Sequence, residues 1–263
     1  IPGLRKAQSS YYARRFGVDV DPETETIVTL GSKEGLANLS SAITTPGDVI
    51  LVPNPSYPIH PFGFIIAGAA VRNVPVGAGE DFFAAMERAV QHSVPKPTAL
   101  VLNFPNNPTA ECVDLAFYER IVDFCLFHHI YILSDLAYGE VYFDGNPPPS
   151  ILQIRRAWDI AVEFTSLSKT YNMPGWRIGF ATGNKRLIGA LTRVKSYLDY
   201  GAFTPIQVAA TAAMNGDQKC VDDMRALYKE RRDVLISGLA AAGWEIPSPA
   251  ATMFSWAPIP DRY

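Results

Sequence analysis

The feature that most constrains this chain is a repeated exchange between two hydrophobic periods. Seven short apolar runs are bounded by turn residues and read as β-strands: ETIVTL (25–30), DVILVP (48–53), AAVRNVPV (69–76), TALVLNF (98–104), IYILSD (130–135), AVEFTS (161–166) and RIGFAT (177–182). Between most of them apolar residues return at helical spacing, over 33–43, 82–92, 115–128 and 185–197. Strands that alternate with helices pair in parallel, because each crossover returns the chain to the same end of the sheet. ALVLNF lacks polar alternation, as expected of a strand buried on both faces. The expected fold is α/β, with a mainly parallel sheet between two helix layers.

The first residues, IPGLRKAQSSYYARRFG, read as an amphipathic helix entered directly after Pro2 and Gly3, so the chain is expected to start in mid-domain. From Thr204 consecutive helices follow, and 217–242 is long enough to link one domain to another. A boundary near Gly238 divides a large domain, 1–238, from the start of a small α/β domain, 239–263, which is expected to hold one apolar strand and to be incomplete. No internal repeat is present, and NPPPS (146–150) reads as a proline-rich loop.

With 263 residues, 48% apolar and 19% charged, the chain supports a sizeable core. A formal net charge of −3 gives no electrostatic reason to expect nucleic acid or an anionic membrane as partner, and favours a small soluble substrate. The apolar stretch 62–71 contains glycines and falls short of the roughly 20 residues that cross a bilayer, so no membrane span is expected. Cys112, Cys125 and Cys220 form no CxxC pair and read as reduced thiols of a cytoplasmic protein; no metal site is expected.

Polar and aromatic residues gather where the strand-like runs end. Lys169 lies between AVEFTS and RIGFAT, near the carboxyl edge where open α/β sheets bind ligands. Asp135 ends IYILSD, and Tyr138 follows within a helical turn. Asn107 sits in NFPNNPTA (103–110), Tyr57 in NPSYPIH (54–60), and Ser32 and Lys33 in GSKEG (31–35), where a helix begins near Lys33 and free N–H groups suit a phosphate. Each has an ordinary reading: a surface lysine, an N-capping aspartate, a packed tyrosine, a simple Asn-Pro turn. Together, five strand ends present the right kinds of group for one cofactor to a single edge.

In order along the chain, GSKEG, NPSYP, NNPT, SDLAY, and SLSK followed by GWRIG resemble the signature of fold type I pyridoxal-phosphate-dependent aminotransferases of classes I and II. GSKEG and NPSYPIH are similar to the subgroup of alanine and LL-diaminopimelate aminotransferases. The resemblance implies the aspartate-aminotransferase-like fold and pyridoxal 5'-phosphate as cofactor, held on Lys169 as a Schiff base. It implies that Lys169 is nucleophile and general acid/base, that Asp135 pairs with the pyridine nitrogen, and that Tyr138 and Asn107 hydrogen-bond the phenolic oxygen. Tyr57 would stack on the ring, while the N–H groups of Ser32 and Lys33, the hydroxyls of Ser166 and Ser168, and the Arg177 guanidinium would cradle the phosphate. An amino acid and a 2-oxo acid are the implied substrates, alanine and glutamate with pyruvate and 2-oxoglutarate the working choice, and a homodimer the implied assembly.

The family's phosphate-reaching tyrosine upstream of IPGLR and its carboxylate-clamping arginine in the C-terminal domain have no counterpart in these residues, so a piece of a protein of roughly 400 residues is expected by that analogy. NNPTA stands where NNPTG is usual, so Ala110 is expected to alter the turn slightly. A pyridoxal-phosphate-dependent C–S lyase or aminocyclopropane-carboxylate synthase shares such a site, and a non-catalytic aminotransferase-like regulatory domain is a further alternative. A nicotinamide-dependent dehydrogenase is set aside, since no GxGxxG turn is present.

Overall fold

The computed structural model of the protein describes residues 1–76 and 81–260. The first half of the chain runs α1 (Pro2–Phe16), β1 (Thr26–Thr29), α2 (Ser32–Ile43), β2 (Val49–Asn54), α3 (Ile59–Ile66), β3 (Ala70–Pro75), α4 (Phe82–Gln91), β4 (Pro97–Leu102) and α5 (Leu115–His128). The second half runs β5 (Tyr131–Asp135), β6 (Ala161–Ser166), the single turn α6 (Leu167–Thr170), β7 (Gly179–Gly183), α7 (Lys185–Leu198), α8 (Thr204–Asn215) and α9 (Lys219–Ala241). Short polar side chains start several helices by accepting otherwise unpaired N–H groups: Asp81 from Ala84, Asp114 from Phe117, and Asn184 from Arg186 and Leu187.

All seven expected strands form one sheet in the order β1-β7-β6-β5-β4-β2-β3. Its β2–β3, β2–β4, β4–β5 and β5–β6 pairs are parallel, whereas β7 runs antiparallel to both β1 and β6. The sheet is therefore mixed and mostly parallel. Successive residues of a strand point to opposite faces, and here each face meets helices. Leu51, Leu100, Leu102 and Ile132 pack with Tyr12 and Phe16 of α1, Met86 of α4, and Tyr118 and Ile121 of α5. Ile50, Val52, Ala99, Val101 and Leu133 pack with Leu36 and Leu39 of α2, Phe64 of α3, and Leu187 and Leu191 of α7. Burial on both faces is why these strands carry unbroken apolar runs.

Two local expectations are corrected. RIGFAT was expected to be strand from Arg177, but β7 starts at Gly179 and Arg177 adopts the left-handed conformation at φ 51°. Beyond α9 the expected apolar strand is not formed among the described residues, where only an isolated bridge joins Ala251 to Tyr142. Around that bridge Thr252 N–H donates to the Val141 carbonyl at 2.7 Å and Phe143 N–H to the Ala250 carbonyl at 2.8 Å, and the prolines at 247, 249, 258 and 260, which carry no backbone donor, lie on either side of this short pairing. Helix α9 is continuous through Gly238 and buries only Val221 among its residues. The last three residues assigned to a small domain, 261–263, lie outside the described residues. No described helix is long and apolar enough to cross a membrane.

Candidate active site

Because β2, β4, β5 and β6 are parallel and β1 shares their direction through β7, their carboxyl ends meet at one edge of the sheet. A cavity of about 520 Å³ opens there. All ten residues singled out from the sequence line it: Ser32 and Lys33 after β1, Tyr57 after β2, Asn107 after β4, Asp135 and Tyr138 at and after β5, and Ser166, Ser168, Lys169 and Arg177 at and after β6. Open α/β sheets bind ligands at this edge because only there do several strands deliver side chains to a common space.

The floor is acidic. Asp135 is 5% exposed, and its Oδ2 lies 3.1 Å from Nε2 of His60, which is 1% exposed. Its Oδ1 accepts the N–H of Ala137 at 3.2 Å, and its backbone carbonyl accepts Nδ2 of Asn103 at 2.8 Å. A buried carboxylate with such fixed partners is held in one orientation and is costly to leave without a counter-charge.

One wall is aromatic and amide-bearing. Burial, and after it the charge of Asp135, push the Tyr138 phenol well above its ordinary range, while a hydrogen bond with Asn107 works in the opposite direction. Asn107 is in turn fixed through its N–H, which donates to Oδ1 of Asn103 at 2.9 Å. Tyr57 meets His60 edge-on at 5.9 Å between ring centroids, and Nζ of Lys33 lies 5.0 Å from the Tyr57 ring centroid. Nζ of Lys169 lies 5.9 Å from the centre of the Tyr138 ring, within the same space.

The opposite end collects donors. Helix α2 starts at Ser32 without a side-chain cap, and Gly35 is the first residue whose N–H reaches back, to the Gly31 carbonyl at 3.4 Å. The N–H groups ahead of it lack partners within the helix and sit at its positive end. Gly31, at φ 87° and ψ 162°, occupies a conformation essentially reserved for glycine, and a Cβ there would lie 2.2 Å from Nη2 of Arg177. The guanidinium is steered by three hydrogen bonds, to Oγ of Ser168 at 3.4 Å, to the Pro174 carbonyl at 3.0 Å and to the Leu30 carbonyl at 3.2 Å. Helix N–H groups, hydroxyls and a planar guanidinium around a position that tolerates no Cβ make a cradle suited to a phosphate.

Sequence reading passed over His60, Asn103 and Phe254. His60 and Asn103 stood inside the quoted stretches NPSYPIH and NFPNNPTA, but their partner Asp135 is 75 and 32 positions away. Phe254 joins the cavity from beyond α9 and meets the Tyr138 ring at 5.4 Å between centroids; no local pattern marks it.

The sequence matches the family model described as aminotransferase class I and II over residues 1–262, and enzymes of that class use pyridoxal phosphate. It is 61% identical to a putative aminotransferase of Rhizobium meliloti and 56% identical to a glutamate-pyruvate aminotransferase of Escherichia coli, over the whole of this chain in both cases. The chain spans 65% and 64% of the length of these two relatives. An LL-diaminopimelate aminotransferase of Desulforudis audaxviator is 43% identical over 99% of the chain and 66% of its own length. Among solved structures, apo-BacF from Bacillus subtilis superposes with a TM-score of 0.92 at 36% identity, covering 100% of this chain and 67% of that one. The chain belongs to the class I and II aminotransferases.

Proposed function

We propose that the protein moves an amino group from an amino acid to a 2-oxo acid with pyridoxal 5'-phosphate held on Lys169. The observation that carries this reading is the convergence of a lysine, a buried carboxylate, a phenol–amide pair and a phosphate cradle in one cavity. The donor set fits the cofactor, since a phosphate suits the α2 terminus and Arg177, and a protonated ring nitrogen suits Asp135. When bound, the cofactor supplies an electron sink for the pair left at the substrate Cα.

The chain's own residues take the remaining roles. Lys169 Nζ would hold the cofactor and would serve as the base that takes the Cα proton. Asp135, oriented by His60, would favour a proton on the ring nitrogen. Tyr138 and Asn107 would hydrogen-bond the phenolic oxygen, and Tyr57 would pack on the ring. Ser32, Lys33, Ser166, Ser168 and Arg177 would bind the phosphate.

Alanine and glutamate, with pyruvate and 2-oxoglutarate, are the proposed substrates; the similarity to a glutamate-pyruvate aminotransferase supports that choice. A homodimer in the cytoplasm is the proposed assembly and place. The division into a large domain, 1–238, and a small one from 239 is retained as part of this proposal.

The test is an absorbance spectrum with added pyridoxal phosphate, before and after borohydride reduction, alongside a Lys169→Ala variant. Reduction is expected to fix the cofactor to Lys169, and the variant to lose the band. Turnover of alanine is expected to require an added 2-oxo acid; release of pyruvate and ammonia without one would make the protein a lyase instead.

A further inference from the structure

Glu34 and Lys195 stand outside the cavity lining yet connect directly to the cradle. Oε2 of Glu34, in the first turn of α2, accepts the N–H of Leu30 at 2.8 Å. The carbonyl of the same Leu30 accepts Nη2 of Arg177 at 3.2 Å. Leu30 is thus gripped on both sides, immediately before the Gly31 turn that starts the helix.

Oε1 of Glu34 accepts Nζ of Lys195 at 2.7 Å, and the amide of Asn38 donates to it as well. Lys195, from α7, is 5% exposed and also contacts Oδ2 of Asp199 at 2.8 Å. A buried ammonium is retained only where carboxylates offset its desolvation.

The electrostatics make this pairing more than a brace. A helix N-terminus favours negative charge, and Glu34 and a bound phosphate compete for the same field while repelling one another. Lys195 sits in contact with the carboxylate that opposes the phosphate.

We propose that Glu34 and Lys195 are a positioning pair for the phosphate cradle: Glu34 fixes Leu30 and with it the Gly31 turn and Arg177, and Lys195 cancels the charge that Glu34 sets against the phosphate. This inference rests on the reading of the site as a pyridoxal-phosphate site.

The experiment compares dissociation constants for pyridoxal phosphate and for pyridoxal, which lacks the phosphate, by absorbance titration. The proteins are the parent chain, Lys195→Met, Glu34→Gln and the double variant. Lys195→Met is expected to bind pyridoxal phosphate about tenfold more weakly and pyridoxal within about twofold of the parent. Glu34→Gln keeps an amide oxygen for the Leu30 N–H while losing the charge, and is expected to bind the phosphate form at least as tightly as the parent. The double variant is expected to recover to within about threefold of the parent. A merely structural tie would show no such recovery and no selectivity for the phosphate.

Equal weakening of both ligands by Lys195→Met, or a double variant no better than Lys195→Met, overturns the pairing. Should Lys195→Met fail to fold, Glu34→Gln decides, since weaker binding of pyridoxal phosphate by that variant is the opposite of the expectation. A parent that takes up neither ligand on Lys169 sinks the site reading and the inference with it; a parent that takes up both, with unaltered ratios in the variants, sinks the pairing alone.

Discussion

Nε2 of His60 lies 3.1 Å from Oδ2 of Asp135, and both side chains are buried beneath the cavity. The contact constrains one carboxylate oxygen, while the Ala137 N–H binds the other at 3.2 Å. Asp135→Asn is expected to lower kcat by about 10²- to 10³-fold, as for the loss of one preorganised electrostatic group. His60→Phe removes a hydrogen bond to a charged group, worth about 1.5–3 kcal/mol, and is expected to cost roughly 10- to 100-fold. Steady-state kinetics check both, and an Asp135→Asn enzyme within about twofold of the parent would remove Asp135 from its assigned role.

Gly31→Ala places a methyl group 2.2 Å from Nη2 of Arg177 at a backbone φ of 87°. A strained backbone of this kind costs about 1–3 kcal/mol. The variant is expected to lose about 1–3 kcal/mol of unfolding free energy in denaturant titration and to bind pyridoxal phosphate more weakly than the parent. Unchanged cofactor affinity in a folded Gly31→Ala protein would argue against the cradle.

Ala110 adopts the left-handed conformation at φ 61°, and its N–H donates to the Asn106 carbonyl at 2.9 Å. An L-residue with a Cβ is disfavoured there, where glycine is not. Ala110→Gly is therefore expected to stabilise the protein by on the order of 1 kcal/mol, net of the greater freedom of glycine in the unfolded chain. Equilibrium urea unfolding measures it, and a destabilised variant would contradict the strain.

Glu163 is fully buried on β6 and accepts hydrogen bonds from Tyr12 Oη at 2.9 Å, Ser150 Oγ at 2.6 Å, Ser134 Oγ at 3.3 Å and the Ile151 N–H at 3.2 Å. Desolvation outweighs these donors and pushes its carboxyl up from 4.5 to about 7. Folding thus favours the protonated form. The contribution is fully present below the unfolded value and is lost as the pH rises through the folded one. Between pH 4.5 and 7 the folded state is expected to lose on the order of 3 kcal/mol through this group. The difference in unfolding free energy between the parent and Glu163→Gln, followed from pH 5 to 8, isolates that slope; parallel profiles would place the titration elsewhere.

The strand pattern was legible because it is local. An apolar run such as TALVLNF, closed by turn residues, reports burial on both faces, and β4 forms over Pro97–Leu102. The same locality located Asp135 and Lys169, which stand just where a run stops. The stretch after α9 misled for a related reason: apolar residues there suggested a strand, but a strand exists only with a partner to pair with, and among the described residues only the Ala251–Tyr142 bridge forms. Phe254 reaches the cavity by the path of that same stretch.

By itself the sequence determined the existence of the seven strands and the places of α1, α2, α4, α5 and α7, because hydrophobic period, caps and turn chemistry act over a few residues. Tertiary structure alone decided the order β1-β7-β6-β5-β4-β2-β3, the reversed β7 and the pairing of His60 with Asp135 and of Glu34 with Lys195, 161 positions apart. An apolar pattern says that a face is covered but not by what, and a polar side chain acquires its partner only when distant segments are brought together by the assembled sheet.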